Sequence, residues 1–161
     1  MPRTATPPEP GEPGGAAVHY RSLEALYAAA PINALFESRL EIVAEGHALI
    51  RFRVDEGVHH AAAAAHGTIY FKMLDDAAFY AANSLVTDRF LLTTAFNLHF
   101  TAPIRTGPVV AEGRWVSGRR RVFVAEARLI DAEGEEIGRG TGTFMRSRIA
   151  LSGLSGYQAG D

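Results

Sequence analysis

The chain predicts an α+β fold in which an antiparallel sheet wraps around one long buried helix, and three observations carry that prediction. The segment 68–84 is apolar almost all round, with Ile69, Tyr70, Met73, Leu74, Ala77 and Phe79 spread over every side of a helix. A helix without a broad polar face is a buried one. Around it lie segments that alternate apolar and polar residues and are joined by tight turns, and strands joined that way pair antiparallel. One flat sheet face hides only half of such a helix, so the sheet must curl about it.

The elements follow in order. Residues 1–17 hold five of the eight prolines (Pro2, Pro7, Pro8, Pro10 and Pro13) and almost nothing to bury, which reads as a disordered tail. From Tyr20 the pattern turns helical, with Leu23, Leu26, Tyr27 and Ala30 at helical spacing, Ser22 as N-cap and Glu24 in the first turn. Pro31 interrupts it, and a second turn follows over residues 33–36. Strands are expected over residues 40–43 and 48–54, joined at Glu45-Gly46. After a loop at 55–66 and the buried helix, four more strands run over 91–101, 109–117, 121–130 and 136–149, separated by turn residues at 103–108, Ser117-Gly118 and Glu133-Gly134. Phe123, Ala125, Ala127 and Leu129 give the third of these a clean apolar face. The folded domain is expected over 18–150, with a flexible polar tail over 151–161. Helix, strand pair, buried helix and four strands, with the sheet curled, make a hot-dog arrangement.

Composition narrows the function. A chain of 161 residues with 47% hydrophobic and 21% charged residues is a single globular domain. It has no cysteine, which removes disulfide scaffolds, thiol nucleophiles and thiolate metal sites. Lys and Arg number 16 against 18 Asp and Glu, a net charge of -2, without the positive excess that nucleic acid binding requires. No apolar run approaches the roughly 20 residues of a membrane span, and the N-terminus lacks the apolar core of a secretory signal. The expected compartment is the cytoplasm, with neither nucleic acid nor membrane as partner. His59, His60 and His66 invite a metal, but adjacent histidines point apart and alanines separate them from the third. Neither metal nor cofactor is expected. The run Ser152-Gly153-Leu154-Ser155-Gly156 lacks the strand-turn-helix setting of a serine nucleophile.

The chemistry concentrates on the buried helix. Asp75 and Asp76 stand side by side among apolar residues, with Lys72 as the nearby cation. Helical spacing lets one lysine satisfy one of them and leaves the other unpaired. Asp75 has Phe71 and Phe79 as its four-residue neighbours, a setting that raises a carboxyl pKa. Two accessible acids at a subunit boundary would account for the same residues. At the helix start, His66-Gly67-Thr68 offers free backbone N–H groups and a residue without a Cβ, as an oxyanion site needs. Gly67 and Asp75 lie about 12 Å apart at about 1.5 Å per residue, too far to touch one carbon. Acting together requires two chains, with their buried helices antiparallel.

The run His66-Gly67 with Asp75-Asp76-Ala77 downstream resembles the hot-dog acyl-CoA thioesterases of the PaaI-like (phenylacetate-degradation) type. The likeness continues through Asn97 and Pro103 to GRGTGTFM at 138–145 and covers residues 38–148. It implies hydrolysis of an acyl or aryl thioester of coenzyme A by a homodimer or homotetramer. Asp75 would be nucleophile or general base, the Gly67 N–H would polarise the carbonyl, and His66 would shape the turn. Thr93 falls where relatives often carry a Ser or Thr that holds the attacking water, so it is expected as the partner subunit's contribution. Two positions depart from the pattern. Thr68 replaces a second glycine and can narrow the approach or cap the helix, and His60 stands where relatives carry Asn or Gln and is a substitute donor. Asp76 and Asn97 are expected substrate contacts, and Arg119, Arg120 and Arg121 suit the coenzyme's phosphates. Alternatives within the fold are a non-catalytic acyl-CoA-binding module and an enoyl-CoA hydratase or dehydratase, which needs His60, His66 or His99 beside the acid.

Overall fold

The computed structural model of the protein describes residues 14–157. Helix α1 (Gly15–Ala29) leads through a short 3-10 turn (Pro31–Leu35) into strands β1 (Ser38–Ala44) and β2 (His47–Val54). Helix α2 (Gly67–Asn83) follows, and then β3 (Arg89–Phe100), β4 (Gly107–Ser117), β5 (Val122–Ile130) and β6 (Glu136–Ala150). The six strands form one antiparallel sheet in the order β1-β2-β4-β5-β6-β3. α2 packs against all of them, so the predicted curl of the sheet about a buried helix is observed. No helix among the described residues is long and apolar enough to cross a membrane.

The helix can lie deep because both surfaces are stripped of bulk where they meet. Ala77, Ala78, Ala81 and Ala82 have no solvent exposure. Opposite them, a Cβ on Gly113 of β4 would stand 2.0 Å from the Ala77 carbonyl oxygen, so backbone meets backbone there. On β6 the alternate residues Gly140 and Gly142 make room for the Phe96 ring, which would come within 2.4 and 2.7 Å of a Cβ at each.

Two differences from expectation lie at the ends of the chain. α1 begins at Gly15 with Gly14 as N-cap, so residues 15–17 belong to the folded domain. Ser22 is therefore not the cap. It is buried in mid-helix, where its Oγ donates to the Val18 carbonyl at 2.9 Å, a bond open to any helical serine. The segment expected to be a loose C-terminal tail turns back onto the core at Leu151–Gly153, burying Leu151 and packing Leu154 and Tyr157. The Tyr157 hydroxyl meets His19 Nδ1 at 2.7 Å, and His19 Nε2 donates to the Asn83 carbonyl at 3.1 Å. The remaining parts of both expected tails, residues 1–13 and 158–161, lie outside the described residues.

The sheet's two edges differ. At β1, α1 covers the rim, and Glu24 Oε1 accepts the Ile42 N–H at 2.8 Å. At β3 the outer rim carries no further strand among the described residues, and most of its residues from Leu92 onward are exposed.

Buried Asn83 turns the chain from α2 into β3. Its amide donates to the Val86 and Arg89 carbonyls at 3.2 and 3.1 Å, while its Oδ1 accepts the Leu91 N–H at 2.9 Å. Two residues on, the β3–β6 register slips between Thr93 and Ala95, a bulge that turns both Thr93 and Phe96 toward α2.

Gly113→Ala should lower stability by about 3 kcal/mol or more, because neither backbone can yield without unseating the helix. Gly153→Ala, where nothing stands within 4 Å of the new Cβ, should be near neutral. Urea unfolding midpoints of the two variants check the contrast.

Candidate active site

α2 presents three rows of side chains to three surroundings. Ala77, Ala78 and Ala81 face the sheet. Phe71, Asp75 and Phe79 face β3, where Phe71 meets Phe96 edge-on at 5.7 Å and Phe79 lies 4.9 Å from Phe90. Lys72, Asp76 and Tyr80 face the α1 side, where Tyr80 meets Tyr27 edge-on at 5.5 Å.

The two acids therefore have different partners. Lys72 Nζ donates to Asp76 Oδ2 and to Asn33 Oδ1, both at 2.6 Å. The same ammonium lies 5.1 Å from the Phe36 ring centre and 5.5 Å from that of Tyr27. Asp75 forms no ion pair among the described residues. Its Oδ1 accepts the hydroxyl proton of Thr93 at 2.9 Å within the same chain, so Thr93 serves its own chain's acid and not, as expected, a partner's. Burial pushes its pKa up to about 6, with the Thr93 bond and Lys72 opposing and the Asp76 charge adding. Burial also raises Asp76, with Lys72 opposing. The single lysine satisfies one carboxylate, as the spacing predicts, and the one left over is Asp75. Both acids border a cleft of about 200 Å³ that Phe79, Phe90, Leu92 and Thr93 help to line.

A second cleft, of about 440 Å³, opens at the other end of α2, lined by His60, Gly67, Tyr70, Phe100 and Pro103 among others. His66 caps the helix, its Nδ1 accepting the Thr68 N–H at 3.1 Å and lying 3.0 Å from the Thr68 hydroxyl. With Nδ1 as acceptor, a neutral ring carries its proton on Nε2. Thr68 thus bonds back to the capping residue and does not itself cap. The His66 carbonyl takes the Ile69 N–H at 2.9 Å, whereas the Gly67 N–H has no partner among the described residues. A Cβ on Gly67 would stand 3.1 Å from the Phe100 ring, so glycine keeps this end open. His60 is exposed, and its Nδ1 accepts the Ala62 N–H at 3.0 Å.

The clefts share no residue, and Asp75 and Gly67 of one chain do not meet. Other expected site residues lie apart from both. Asn97 pairs with Thr141 and is exposed on the face of β3 opposite Phe96 and Leu98, as is His99. Arg119 is engaged at the β4–β5 turn, paired with Glu45 at 3.0 Å and stacked on Trp115 at 4.4 Å. Arg120 and Arg121 are exposed at the same turn. Among the described residues no cluster of three or more His, Asp or Glu could hold a metal, and His59 Nε2 instead bonds the Arg105 carbonyl. Asn33, Tyr27 and Phe36, which complete the lysine's surroundings, carry no sequence signal linking them to α2.

Residues 63–137, which span both His66-Gly67 and the acid pair, match the model of the Thioesterase superfamily. The protein has the hot-dog fold, and residues 63–137 are similar to the thioesterase superfamily. The Escherichia coli PaaI protein from the phenylacetic acid degradation operon shares the fold with a TM-score of 0.77 at 17% identity, over 84% of this chain and 97% of that chain. A thioesterase family protein of Silicibacter pomeroyi gives 0.73 at 26% identity, over 82% and 98%. A curated protein of Saccharolobus solfataricus that carries the name of an esterase is 24% identical over 105 residues, 65% of this chain and 70% of that protein.

The raised Asp75 pKa has a consequence for stability. The folded state holds this proton more tightly than the unfolded chain, so the contribution is full below about pH 4 and is lost as pH rises through about 6. Asp75→Asn should therefore stabilise the protein by about 1–2 kcal/mol at about pH 7.5, with the gain vanishing toward about pH 4. Urea denaturation of parent and variant at both pH values checks it.

Proposed function

We propose that the protein hydrolyses acyl or aryl thioesters of coenzyme A, with each site built from Asp75 of one subunit and the Gly67 end of α2 in another. The observation that carries this reading is the state of Asp75: a largely buried carboxylate without an ion pair among the described residues, held by Thr93, at the rim of a cleft. Such a group can take a proton from water, or attack a carbonyl directly, near neutral pH. In the general-base form, water adds to the thioester carbon as its proton passes to Asp75. The carbonyl oxygen becomes an oxyanion facing the Gly67 N–H, and collapse expels the thiolate, which recovers the proton from Asp75. In the nucleophile form, the carboxylate displaces the thiolate and water then cleaves the anhydride.

The same geometry and the unpartnered edge support a dimer. β3 leaves a long row of exposed residues at the rim, with Phe71, Leu92 and Phe100 partly exposed beside it. An edge of this kind pairs readily with another strand. A second copy added there, with its α2 antiparallel, would bring one Asp75 cleft toward the other chain's Gly67 cleft. His60 would border that composite site as a second donor, and His66 and Thr68 would keep the helix start in shape. Asp76 and Asn97 as substrate contacts, and Arg119, Arg120 and Arg121 as phosphate ligands, belong to the same proposal. The family match supports thioester hydrolysis in general; the coenzyme and the acyl group are the finer reading.

Initial rates on a panel of acyl- and aryl-CoA substrates, followed with a thiol reagent, test the reaction without background, since the protein has no cysteine. Asp75→Asn should lower kcat by about a hundredfold or more. Unchanged slow hydrolysis in the variant would move a binding module ahead, and 3-hydroxyacyl product from an enoyl-CoA would point to a hydratase. Mixing inactive Asp75→Asn and Gly67→Val subunits tests the shared site. Random re-pairing gives hybrid dimers with one intact site each, and so roughly a quarter of full activity. No recovery despite subunit exchange would overturn the shared site.

A further inference from the structure

The acid pair on α2 carries an arrangement that thioester hydrolysis does not by itself require. Asp76 sits next to the reacting carboxylate, yet it is bound inward, to a lysine whose every close partner is accounted for. Lys72 donates to Asp76 and Asn33 at 2.6 Å and is faced by the Phe36 and Tyr27 rings. Side-chain exposures are 12% for Lys72 and 24% for Asp76: α1 and the turn that follows it cover the lysine, while Asp76 keeps one edge on the cleft that it shares with Asp75. Tyr27, Asn33 and Phe36 all precede the segment matched by the superfamily model, residues 63–137. The enclosure is thus built by the chain's own N-terminal elements.

We propose that Asp76 is a positioning residue: by holding the Lys72 ammonium, it leaves Asp75 as the member of the pair that takes and gives up the proton. The inference rests on the reading of Asp75 as the reacting carboxylate. Lys72 stands three residues before Asp75 and four before Asp76, close enough on a helix to serve either. Asn33 settles the choice, because its Oδ1 draws the ammonium toward the α1 side, where Asp76 points. An ammonium paired with Asp75 would keep that carboxylate ionised and weakly basic. The titratable and charged groups around the pair are few. On α2 they are Asp75, Asp76, Lys72 and Tyr80, and α1 adds Tyr27, whereas β3 presents the neutral Thr93 hydroxyl. Burial holds Tyr27 up at about 12 and Tyr80 well above its ordinary value, so neither changes charge near neutrality. The Asp76 charge itself adds to the upward displacement of Asp75.

The side-chain carboxyl carbons of Asp75 and Asp76, followed by NMR across pH, test the inference with or without a substrate. In the wild-type protein Asp76 should titrate below Asp75, and the reverse order overturns the proposal. Asp76→Asn removes the charge and frees Lys72 to approach Asp75, so the Asp75 midpoint should fall by about one pH unit or more. The acid limb of kcat/KM should move with it. Asp76→Glu keeps the charge and should leave both in place. Should Asp76→Asn unfold, Asp76→Ser removes the same charge with less bulk and should give the same shift. A lower plateau with an unmoved midpoint would make Asp76 a merely structural group and overturn the proposal. If the NMR midpoint shifts as stated but the wild type hydrolyses no thioester, the hydrolase reading fails and the division of labour between the acids stands.

Discussion

The contact that the rest of the structure depends on is the approach of α2 to β4 at Gly113, close enough that a single added carbon would collide with the Ala77 carbonyl. A helix that near a sheet cannot roll. With Ala77, Ala78 and Ala81 fixed against the strands, the helical step of about 100° per residue decides where every other side chain of α2 points. The row containing Asp75 must face β3, and the row containing Asp76 must face α1. Two chemically identical side chains, adjacent in sequence, are thereby sent about 100° apart around one helix, to different neighbours. One flank is enclosed by chain and holds a lysine. The other opens on the unpaired edge of the sheet.

That division explains the electrostatics. Desolvation raises both carboxyls, and it would drive both toward the neutral form were no counter-charge present. The flank covered by α1 supplies one, together with an amide oxygen and two aromatic faces to hold it. The flank facing β3 supplies a hydroxyl, which stabilises a carboxylate less than a cation does. An ionised Asp75 is then a local cost in stability, offset by a core that runs from Leu23 to Leu151. The residue most exposed to a functional reading is the one the fold leaves least satisfied, as expected where a site retains an unfavourable charge.

Much of this was legible from periodicity. Alternation marked the strands at 48–54 and 121–130, turn residues bounded the others, and the all-round apolar run located α2, because these patterns record burial and chain reversal, which are local in sequence. The count of one lysine for two acids was legible for the same reason. What escaped required contacts between distant segments. Ser22 has the chemistry of a cap, but the helix begins earlier, where Gly14 and Gly15 carry no helical signal. The residues from Leu151 to Tyr157 are short and glycine-rich, and they settle through contacts with distant segments, Leu151 and Leu154 on the core and Tyr157 on His19. Asn33 stands in an unremarkable turn after Pro31, and its bond to Lys72 spans 39 residues. Strict alternation back from Phe100, Leu98 and Phe96 would turn Thr94 toward α2. The bulge substitutes Thr93, and the Thr94 hydroxyl bonds the Thr143 carbonyl at 3.1 Å.

The strand that carries the bulge is held from upstream. Asn83, fully buried at the end of α2, spends its amide and its carbonyl oxygen on the chain that leaves the helix, and the Leu91 N–H it holds is two residues from Thr93. A buried amide with all these bonds made tolerates little displacement, because any slip strands a donor or an acceptor away from water. The start of β3 is therefore tied to the same helix that carries Asp75, and the distance between Thr93 and the carboxylate is set by covalent chain and hydrogen bonds at one end and by the Gly113 contact at the other. The side chains that would do chemistry are held by groups that touch no substrate. Variation at Asn83 or Gly113 would reach the site through geometry alone, while leaving its residues unchanged.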